Sequence, residues 1–249
     1  MTSHGADIEE LLEPFFRKIA ARDALGQEER RALVEAADER LVFEAGEDLV
    51  SEGQRPIRSM LVADGFTSRY RLLSGGDRQL TAIHVPGDFV DLHSFLIKKM
   101  DHSVGALTRC VIYTFPHARL VALTERFPHL ARILWLLTLL DASIHREWLV
   151  GLGRLSAQQR AAHLICEIFT RLRVIGRTAD NSFELPITQS ALADALGISA
   201  VHINRVLQDL RRRGLIVWDG GRLNITDWHA LSALAEFDEG YLHLVQESR

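Results

Sequence analysis

The chain has few of the features on which disulfide-rich or membrane-spanning proteins depend. Only two of its 249 residues are cysteine, Cys110 and Cys166, and both stand in apolar runs. Two distant cysteines make neither a disulfide framework nor a metal motif, so we expect buried free thiols. No apolar run reaches the ~18 residues that a membrane span needs, and no signal peptide is visible at the N-terminus. We therefore expect a cytoplasmic protein with no membrane partner.

Short motifs of common enzyme classes are also missing. The sequence has no nucleophile elbow, no P-loop, no His-Glu-x-x-His and no His-x-His pair. His84, His93 and His102 lie near one another in the sequence, but their spacing matches no strong metal motif. We interpret these histidines as surface or packing residues. The sequence thus predicts no catalytic residue, no metal and no cofactor.

The composition is that of a soluble globular protein, with 47% hydrophobic and 25% charged residues. The length allows two domains, each with its own core. The formal net charge of −4 is unevenly distributed: residues 154–226 hold 10 arginines against six acidic residues, whereas the residues before and after them are acidic overall. A surface that contacts phosphates needs such a local excess of positive charge.

Hydrophobic periodicity changes twice along the chain. Amphipathic helices are predicted at residues 8–21 and 27–39, followed over residues 41–116 by short β-rich runs with glycine turns between them. Evenly spaced short strands favour a β-roll or small barrel. From about Pro128 to Val150 the period becomes helical, and Gly151 to Gly153 suggest a hinge. Further helices are predicted at residues 157–173 and 228–244.

The long helix carries an apolar stripe close to a 3.5-residue repeat. Two interpretations stay open: the stripe packs on the β domain of its own chain, or it forms a coiled-coil seam with a second copy. We predict a dimer interface at Leu130, Ile133, Leu134, Leu137, Leu140, Ile144 and Trp148.

Residues 186–226 are the most informative part of the sequence, because they predict two short helices, a tight turn between them and a hairpin. Thr188 and Ser199 are suited to cap the two helices, and Gly197 suits a turn that needs positive φ. Ile203, Val206, Leu207 and Leu210 follow the spacing of a buried helical stripe. Asp219-Gly220-Gly221 joins the two strands of the hairpin. This order of elements indicates a winged helix-turn-helix.

The face opposite that buried stripe is polar and basic, as a helix that reads DNA requires. Arg205 suits a bidentate contact to guanine, Asn204 or Gln208 suits adenine, and small apolar side chains suit thymine methyl groups. We predict contacts to double-stranded DNA from Thr188, Ser199, Ala200, Val201, His202, Asn204, Arg205, Gln208 and Arg212.

A β-roll, a long helix and a C-terminal winged helix-turn-helix, in this order, resemble the Crp/Fnr family of bacterial transcription regulators. The residues that carry the resemblance are Gly46, Gly53, Asp64-Gly65, Arg78 and Pro86-Gly87-Asp88-Phe89 in the roll, and Ile187-Thr188, Leu192-Ala193, Gly197-Ile198-Ser199, Arg205, Leu210 and Gly214-Leu215-Ile216 in the DNA module. The resemblance implies a homodimer on a near-palindromic DNA site, with RNA polymerase as a partner and an unidentified small-molecule effector.

The predicted fold is therefore α+β, in three regions. Residues 1–127 form an N-terminal β-roll that resembles a cyclic-nucleotide-binding domain, with flanking helices. Residues 128–153 form a long dimerisation helix. Residues 154–249 form the C-terminal winged helix-turn-helix domain.

The sequence departs from the family where cyclic nucleotides are held. Cyclic-AMP receptors of this family carry a Gly-Glu-Leu and an arginine here, for ribose and phosphate. This chain has Val90-Asp91-Leu92-His93 instead, and His102-Ser103 near the arginine position. We place a candidate ligand site at Asp91, Leu92, His102 and Ser103, and expect no binding of cyclic AMP at neutral pH. Protonation of His102 below about pH 6.5 is expected to strengthen any residual affinity. The iron–sulfur branch is disfavoured because its N-terminal cysteine cluster is absent.

Two alternatives from other classes stay open. One is a ligand-binding regulatory module that acts through protein contacts, and the other, less favoured, is a cupin-like metalloenzyme. A salt-dependent DNA affinity separates the regulator from the first alternative, and metal analysis tests the second.

Overall fold

The computed structural model describes residues 8–248, and packing divides the chain into two compact units. Among the described residues, the first comprises residues 8–69, 83–142 and 243–248, and the second residues 70–82 and 143–242. The predicted regions differ from the units in three ways: residues 70–82 of the β region group with the second unit, the division falls inside the long helix, and residues 243–248 of the predicted DNA-binding region group with the first unit. Residues 1–7 and 249 of the predicted regions lie outside the described residues. No helix within residues 8–248 is both long and apolar enough to cross a membrane.

The β region is built from seven strands and four short helices. The sequence predicts the short strands and the two helices before them, but not the other two helices. A helical turn at residues 8–11 precedes the first helices, α1 (Glu13–Ala20) and α2 (Gln27–Ala36). The strands and the helices among them follow in this order: β1 (Arg40–Phe43), β2 (Asp48–Val50), β3 (Arg58–Asp64), β4 (Thr67–Leu72), β5 (Arg78–His84), α3 (Ser94–Ile97), β6 (Ser103–Ala106), β7 (Cys110–Pro116) and α4 (His117–Arg126).

The strands form two antiparallel sheets, with orders β1-β7-β3 and β2-β6-β4-β5. Val50 and Val104 of the second sheet share one buried cluster with Met60 and Ile112 of the first. β3 and β7 are buried on both faces. One face packs against the second sheet, and the other, with Leu61, Tyr113 and Phe115, belongs to a core shared with the helices. This is the β-roll that the glycine-punctuated runs predict.

The turn between β5 and α3 brings its backbone against α1. Gly87 has φ of +90°, and a Cβ atom at this position would lie 2.8 Å from the backbone of Pro14. Asp88 closes the turn by accepting a hydrogen bond from the amide of Val85 at 2.9 Å. Only glycine combines that φ with so close an approach at low cost, which explains the Pro-Gly-Asp sequence here.

The long helix α5 (Pro128–Arg154) runs further than the sequence predicts. Gly151 and Gly153 lie within it, so they form no hinge. Leu130, Ile133, Leu134, Leu137 and Leu140 are at most 7% exposed and belong to the core formed with α1, α2 and α4. The predicted seam is therefore covered by the chain itself over these five positions. Ile144 and Trp148 are half-buried.

The second unit continues with α6 (Ala157–Val174), β8 (Thr178–Ala179), β9 (Ser182–Glu184), α7 (Gln189–Leu196), α8 (Ala200–Arg212), β10 (Ile216–Asp219), β11 (Arg222–Ile225) and α9 (Trp228–Ala235). Its sheet has the order β10-β11-β9-β8. The helix α6, capped by Ser156, is buried on all sides over residues 161–170 and forms the centre of this unit. The cysteines, Cys110 in β7 and Cys166 in α6, are both buried free thiols, as predicted.

The last helix is shorter than predicted. It ends at Ala235, where Glu236 takes a left-handed conformation with φ of +49°, and a 3-10 turn follows at Glu239–Leu242. Phe237 turns back onto Trp228 and His163, with ring centroids 6.0 and 5.2 Å apart. Burial of this aromatic ring replaces the further helical turns that the periodicity predicts.

Candidate functional site

The helix-turn-helix has the local geometry that its sequence predicts. The hydroxyl of Thr188 accepts the amide of Ala191 at 3.1 Å and so caps α7, and Ser199 caps α8 by accepting the amide of His202 at 3.2 Å. Between the helices, Gly197 has φ of +62°, the left-handed region that glycine enters at no steric cost. These three residues fix where one helix ends and the next begins.

Burial separates the two faces of α8. Ile203, Val206, Leu207 and Leu210 are at most 5% exposed and hold the helix against its own unit. All nine residues predicted to contact DNA are exposed: Thr188, Ser199, Ala200, Val201, His202, Asn204, Arg205, Gln208 and Arg212. The structure therefore brings the predicted contact residues together on one accessible surface, which we call the recognition face.

Within the recognition face, side chains differ in how strongly the protein holds them. Asn204 donates a hydrogen bond to Gln189 at 3.1 Å, and Arg212 pairs with Asp209. Among residues 8–248, Arg205 forms no hydrogen bond or ion pair. Its guanidinium therefore keeps all its donors for an external partner.

The hairpin beyond α8 forms the wing. Gly220 and Gly221 make its turn with positive φ, and Arg211 fastens the wing to α8 by donating to the carbonyl of Trp218 at 3.0 Å. Arg222 on the wing is exposed and lies 3.7 Å from Glu184. Sequence reasoning missed Gln189 and Arg222 as residues of this surface. The first turn of α7 and the basic hairpin strand are the signals that point to them.

The candidate ligand site of the roll lies in the first unit and is more closed than the sequence suggests. Asp91 is fully buried, and its Oδ1 accepts the amide of Met60 at 2.6 Å. Burial raises the pKa of Asp91 to about 7, against the opposing effects of the Met60 amide and the positive charge of Arg69. Leu92 is also buried, and the hydroxyl of Ser103 accepts the amide of Glu52 at 3.0 Å.

Arg69 is the arginine of this site that sequence reasoning missed. It is 6% exposed and pairs with Asp141 at 2.9 Å. Two other arginines of the β region lie elsewhere: Arg78 pairs with Asp194 in the second unit, and Arg109 lies 3.4 Å from Glu44. A buried arginine inside a β-strand is hard to recognise from the sequence, because strand arginines usually face solvent.

The pKa of His102 is lower than the value near 6.5 that the sequence suggests. Burial, followed by the positive charges of Arg69 and His93, lowers the pKa of His102 to about 4, although Asp101 opposes this shift. His102 therefore stays neutral over the range in which an increased affinity for a phosphate was expected. The predicted gain below pH 6.5 is not supported by the structure.

Both parts of the chain match known families. Residues 40–127 match the family described as cyclic nucleotide-binding domain, and residues 159–234 match the family described as Crp-like helix-turn-helix domain. The chain belongs to the Crp/Fnr family. It is a Crp/Fnr-type transcription regulator with a helix-turn-helix DNA-binding domain.

Relatives of this Crp/Fnr chain are regulators. The nitrogen fixation regulation protein FixK of Bradyrhizobium diazoefficiens is 29% identical over 201 residues, which cover 79% of this chain and 81% of FixK. The transcriptional activator protein FnrL of Cereibacter sphaeroides is 26% identical over 193 residues, covering 76% and 77% of the two chains. The solved structure of FixK2 from Bradyrhizobium japonicum has a TM-score of 0.73 at 23% identity, over 80% of this chain and 96% of that one, and shows the shared fold.

The Crp/Fnr long helix keeps a second apolar face, apart from the covered one. In its first half, Trp135 is 66% exposed and Leu139 is 50% exposed, one helical turn apart. Leu149 and Val150 are exposed in its second half. Trp135 and Leu139 therefore form an accessible apolar pair on α5.

Proposed function

We propose that this chain regulates transcription by binding a near-palindromic site in double-stranded DNA as a homodimer, and that α8 reads the bases in the major groove. The observation that carries the proposal is the recognition face, on which Arg205 keeps its full donor set at the exposed, N-terminal half of a capped helix. A recognition helix contacts base edges with residues near that end.

Arg205 has the chemistry of a guanine-reading residue. A guanidinium donates two parallel hydrogen bonds to O6 and N7 of guanine, whereas a lysine supplies a point charge. The exposed Asn204 and Gln208 stand beside it and suit adenine. Arg212 lies two turns further along the helix and suits a phosphate.

Dimerisation supplies the second half-site. We place the dimer contact on the exposed apolar residues of α5, which include Trp135 and Leu139. The stripe that the sequence predicts for this contact is largely buried in the core of its own chain. In a symmetric dimer, the two copies of α8 fit two half-sites that lie about one turn of the DNA helix apart, ~34–36 Å. RNA polymerase as a partner and a small-molecule effector at the roll are further parts of this proposal, in line with relatives named as transcriptional activators.

A DNA-binding experiment with matched variants tests the proposal. Genomic fragments are selected with the purified chain, and fluorescence anisotropy then gives affinities for the selected site and for random DNA at several salt concentrations. We expect the logarithm of the affinity to fall linearly with the logarithm of salt concentration. A chain that binds neither DNA at any salt concentration contradicts the proposal and favours signalling through protein contacts.

The variants Arg205→Ala and Arg205→Lys separate base reading from charge. Arg205→Ala is expected to weaken binding to the selected site by about 1–3 kcal/mol and to relax preference at one base pair. Arg205→Lys keeps the positive charge and is expected to lose most of the same discrimination. Equal losses on selected and random DNA, together with full recovery in Arg205→Lys, would show that Arg205 contacts only phosphate.

A further inference from the structure

The β-roll brings His93 close to two consecutive residues, Asp101 and His102, and all three have side chains that can ligate a metal ion. One ligand atom each from His93, Asp101 and His102 lies within 4.8 Å of the other two. The rings of His93 and His102 have centroids 4.9 Å apart and are tilted by 46°. The helix α3 and the turn after it separate the two histidines in sequence and return the chain to the same place.

Asp101 determines which nitrogen of His102 is available. Its Oδ1 lies 2.7 Å from Nδ1 of His102, so the ring donates its proton there. The other nitrogen, Nε2, then carries a lone pair. A carboxylate that holds one ring nitrogen while the other nitrogen faces a metal is the usual arrangement around metal-binding histidines.

Within residues 8–248, no donor supplies a hydrogen bond to this lone pair of His102. His102 is 8% exposed, and its Nε2 is buried and has no hydrogen-bond partner in residues 8–248. Leaving a buried acceptor unsatisfied costs free energy, and native structures rarely do so without a reason.

We propose that His93 and His102 bind one divalent transition-metal ion through their imidazoles, and that Asp101 orients the ring of His102. Imidazole suits zinc, iron, copper and nickel, whereas magnesium and calcium prefer sites made of oxygen. The set contains no thiolate, because both cysteines lie elsewhere in the fold. The remaining coordination positions are open to water or to a further ligand.

The proposed site overlaps the candidate ligand site at His102. A metal ion therefore offers an effector chemistry that does not need the arginine and glutamate of a cyclic-nucleotide site. Metal binding itself does not depend on the proposed DNA binding and is measured without DNA.

The test uses the untagged, full-length chain freed of metal with a chelator. Co²⁺ is added stepwise while its visible absorption is followed, and Zn²⁺ binding is measured by equilibrium dialysis with elemental analysis. We expect one equivalent of either ion per chain. His93→Gln and His102→Gln are expected to bind at least tenfold more weakly, and Asp101→Asn about 10–100-fold more weakly. His229→Gln changes an exposed histidine of the other unit and is expected to bind as the wild type.

Two outcomes would overturn the proposal: no uptake of either ion at tens of micromolar, or unchanged uptake in both histidine variants. Unchanged affinity in Asp101→Asn would overturn the orienting role. Circular dichroism of the metal-free variants shows whether they fold. X-ray absorption of the cobalt-loaded wild type gives a result that needs no variant, since two imidazole ligands are expected and a shell of oxygen alone would contradict the site.

Discussion

Replacing Trp135 by glutamate is expected to convert the proposed dimer into a monomer without unfolding the chain. The indole is 66% exposed and contributes nothing to the core of its own unit. In a dimer through the exposed stripe of α5, it would be covered by the partner. Glutamate at this position would place a carboxylate in an apolar contact, where it has no counter-charge.

The expected loss follows from the area that remains to be covered. An aromatic side chain buries about 150–250 Å² when it is fully enclosed. Two thirds of that is roughly 100–165 Å² per copy, which at about 25 cal/mol per Å² stabilises the dimer by ~2.5–4 kcal/mol per copy. A symmetric dimer contains this residue twice, so the loss applies twice. The dissociation constant of the dimer is therefore expected to rise by more than a thousandfold in the variant, at about 1.4 kcal/mol per factor of ten.

Sedimentation equilibrium measures this directly. The wild type is expected at twice the chain mass of 28.0 kDa, and Trp135→Glu at the chain mass. Val121→Glu changes another exposed apolar residue of the same unit, 42% exposed on α4, and is expected to remain dimeric. A wild type that is monomeric at tens of micromolar, or a Trp135→Glu variant that keeps the dimer mass, would refute the reasoning.

Three further expectations concern stability and ligand binding. Ser199→Ala removes the cap of α8 and is expected to cost about 0.5–2 kcal/mol in urea unfolding, and an unchanged midpoint would contradict the cap. Partial burial disfavours charge on His129, but hydrogen bonds to Asp23 (3.1 Å) and Glu29 (2.8 Å) raise the pKa of His129 above its ordinary value of 6.5. The contribution of His129 to stability is therefore complete below about pH 6.5 and is lost as pH rises through the higher pKa of the folded state. The difference in melting temperature between the wild type and His129→Gln should shrink from pH 5.5 to 8.5. A constant difference would contradict this expectation. Titration calorimetry with cyclic AMP is expected to show no heat of binding at pH 7 and no gain at pH 5; a micromolar isotherm that Arg69→Gln abolishes would show that this arginine takes the phosphate.

The helix-turn-helix could be predicted almost residue by residue because its determinants are local. A cap acts over three residues and a glycine turn over one, so Thr188, Gly197 and Ser199 specify the helix ends without help from the rest of the chain. The buried stripe and the exposed face of α8 follow from the same 3.6-residue period. Local sequence rules and the tertiary structure agree here, so the helix-turn-helix could be predicted from the sequence.

The long helix shows where periodicity stops being informative. Apolar residues stand on two of its faces, one with Leu130 and Leu137 and the other with Trp135 and Leu139. Hydrophobic periodicity identifies an apolar face of a helix but not what covers that face. In this structure, the core of the chain itself covers the face with Leu130 and Leu137. Gly151 lies inside the helix because tertiary packing outweighs the ~1 kcal/mol that glycine costs there.

The contact between His93 and His102 in the roll could not be predicted, for a related reason. His93 and His102 are separated by eight residues, a spacing that no metal motif uses, and only the path of the chain through α3 joins them. The buried Arg69 was missed likewise, since its partner Asp141 lies 72 residues away. Long-range pairs of polar residues leave no local pattern in a single sequence.

A buried carboxylate in the second unit constrains how this protein can change over evolution. Glu167 is fully buried and accepts hydrogen bonds from Trp148 at 2.9 Å, Arg171 at 2.9 Å and Tyr241 at 3.1 Å. Loss of Glu167 alone would leave the positive charge of Arg171 without its counter-charge in a mostly buried position, which is costly. Substitutions at these four positions are therefore expected to occur jointly, so that homologues carry either the whole set or an apolar replacement of it, and covariation among them would trace the contact between α5, α6 and the segment after α9.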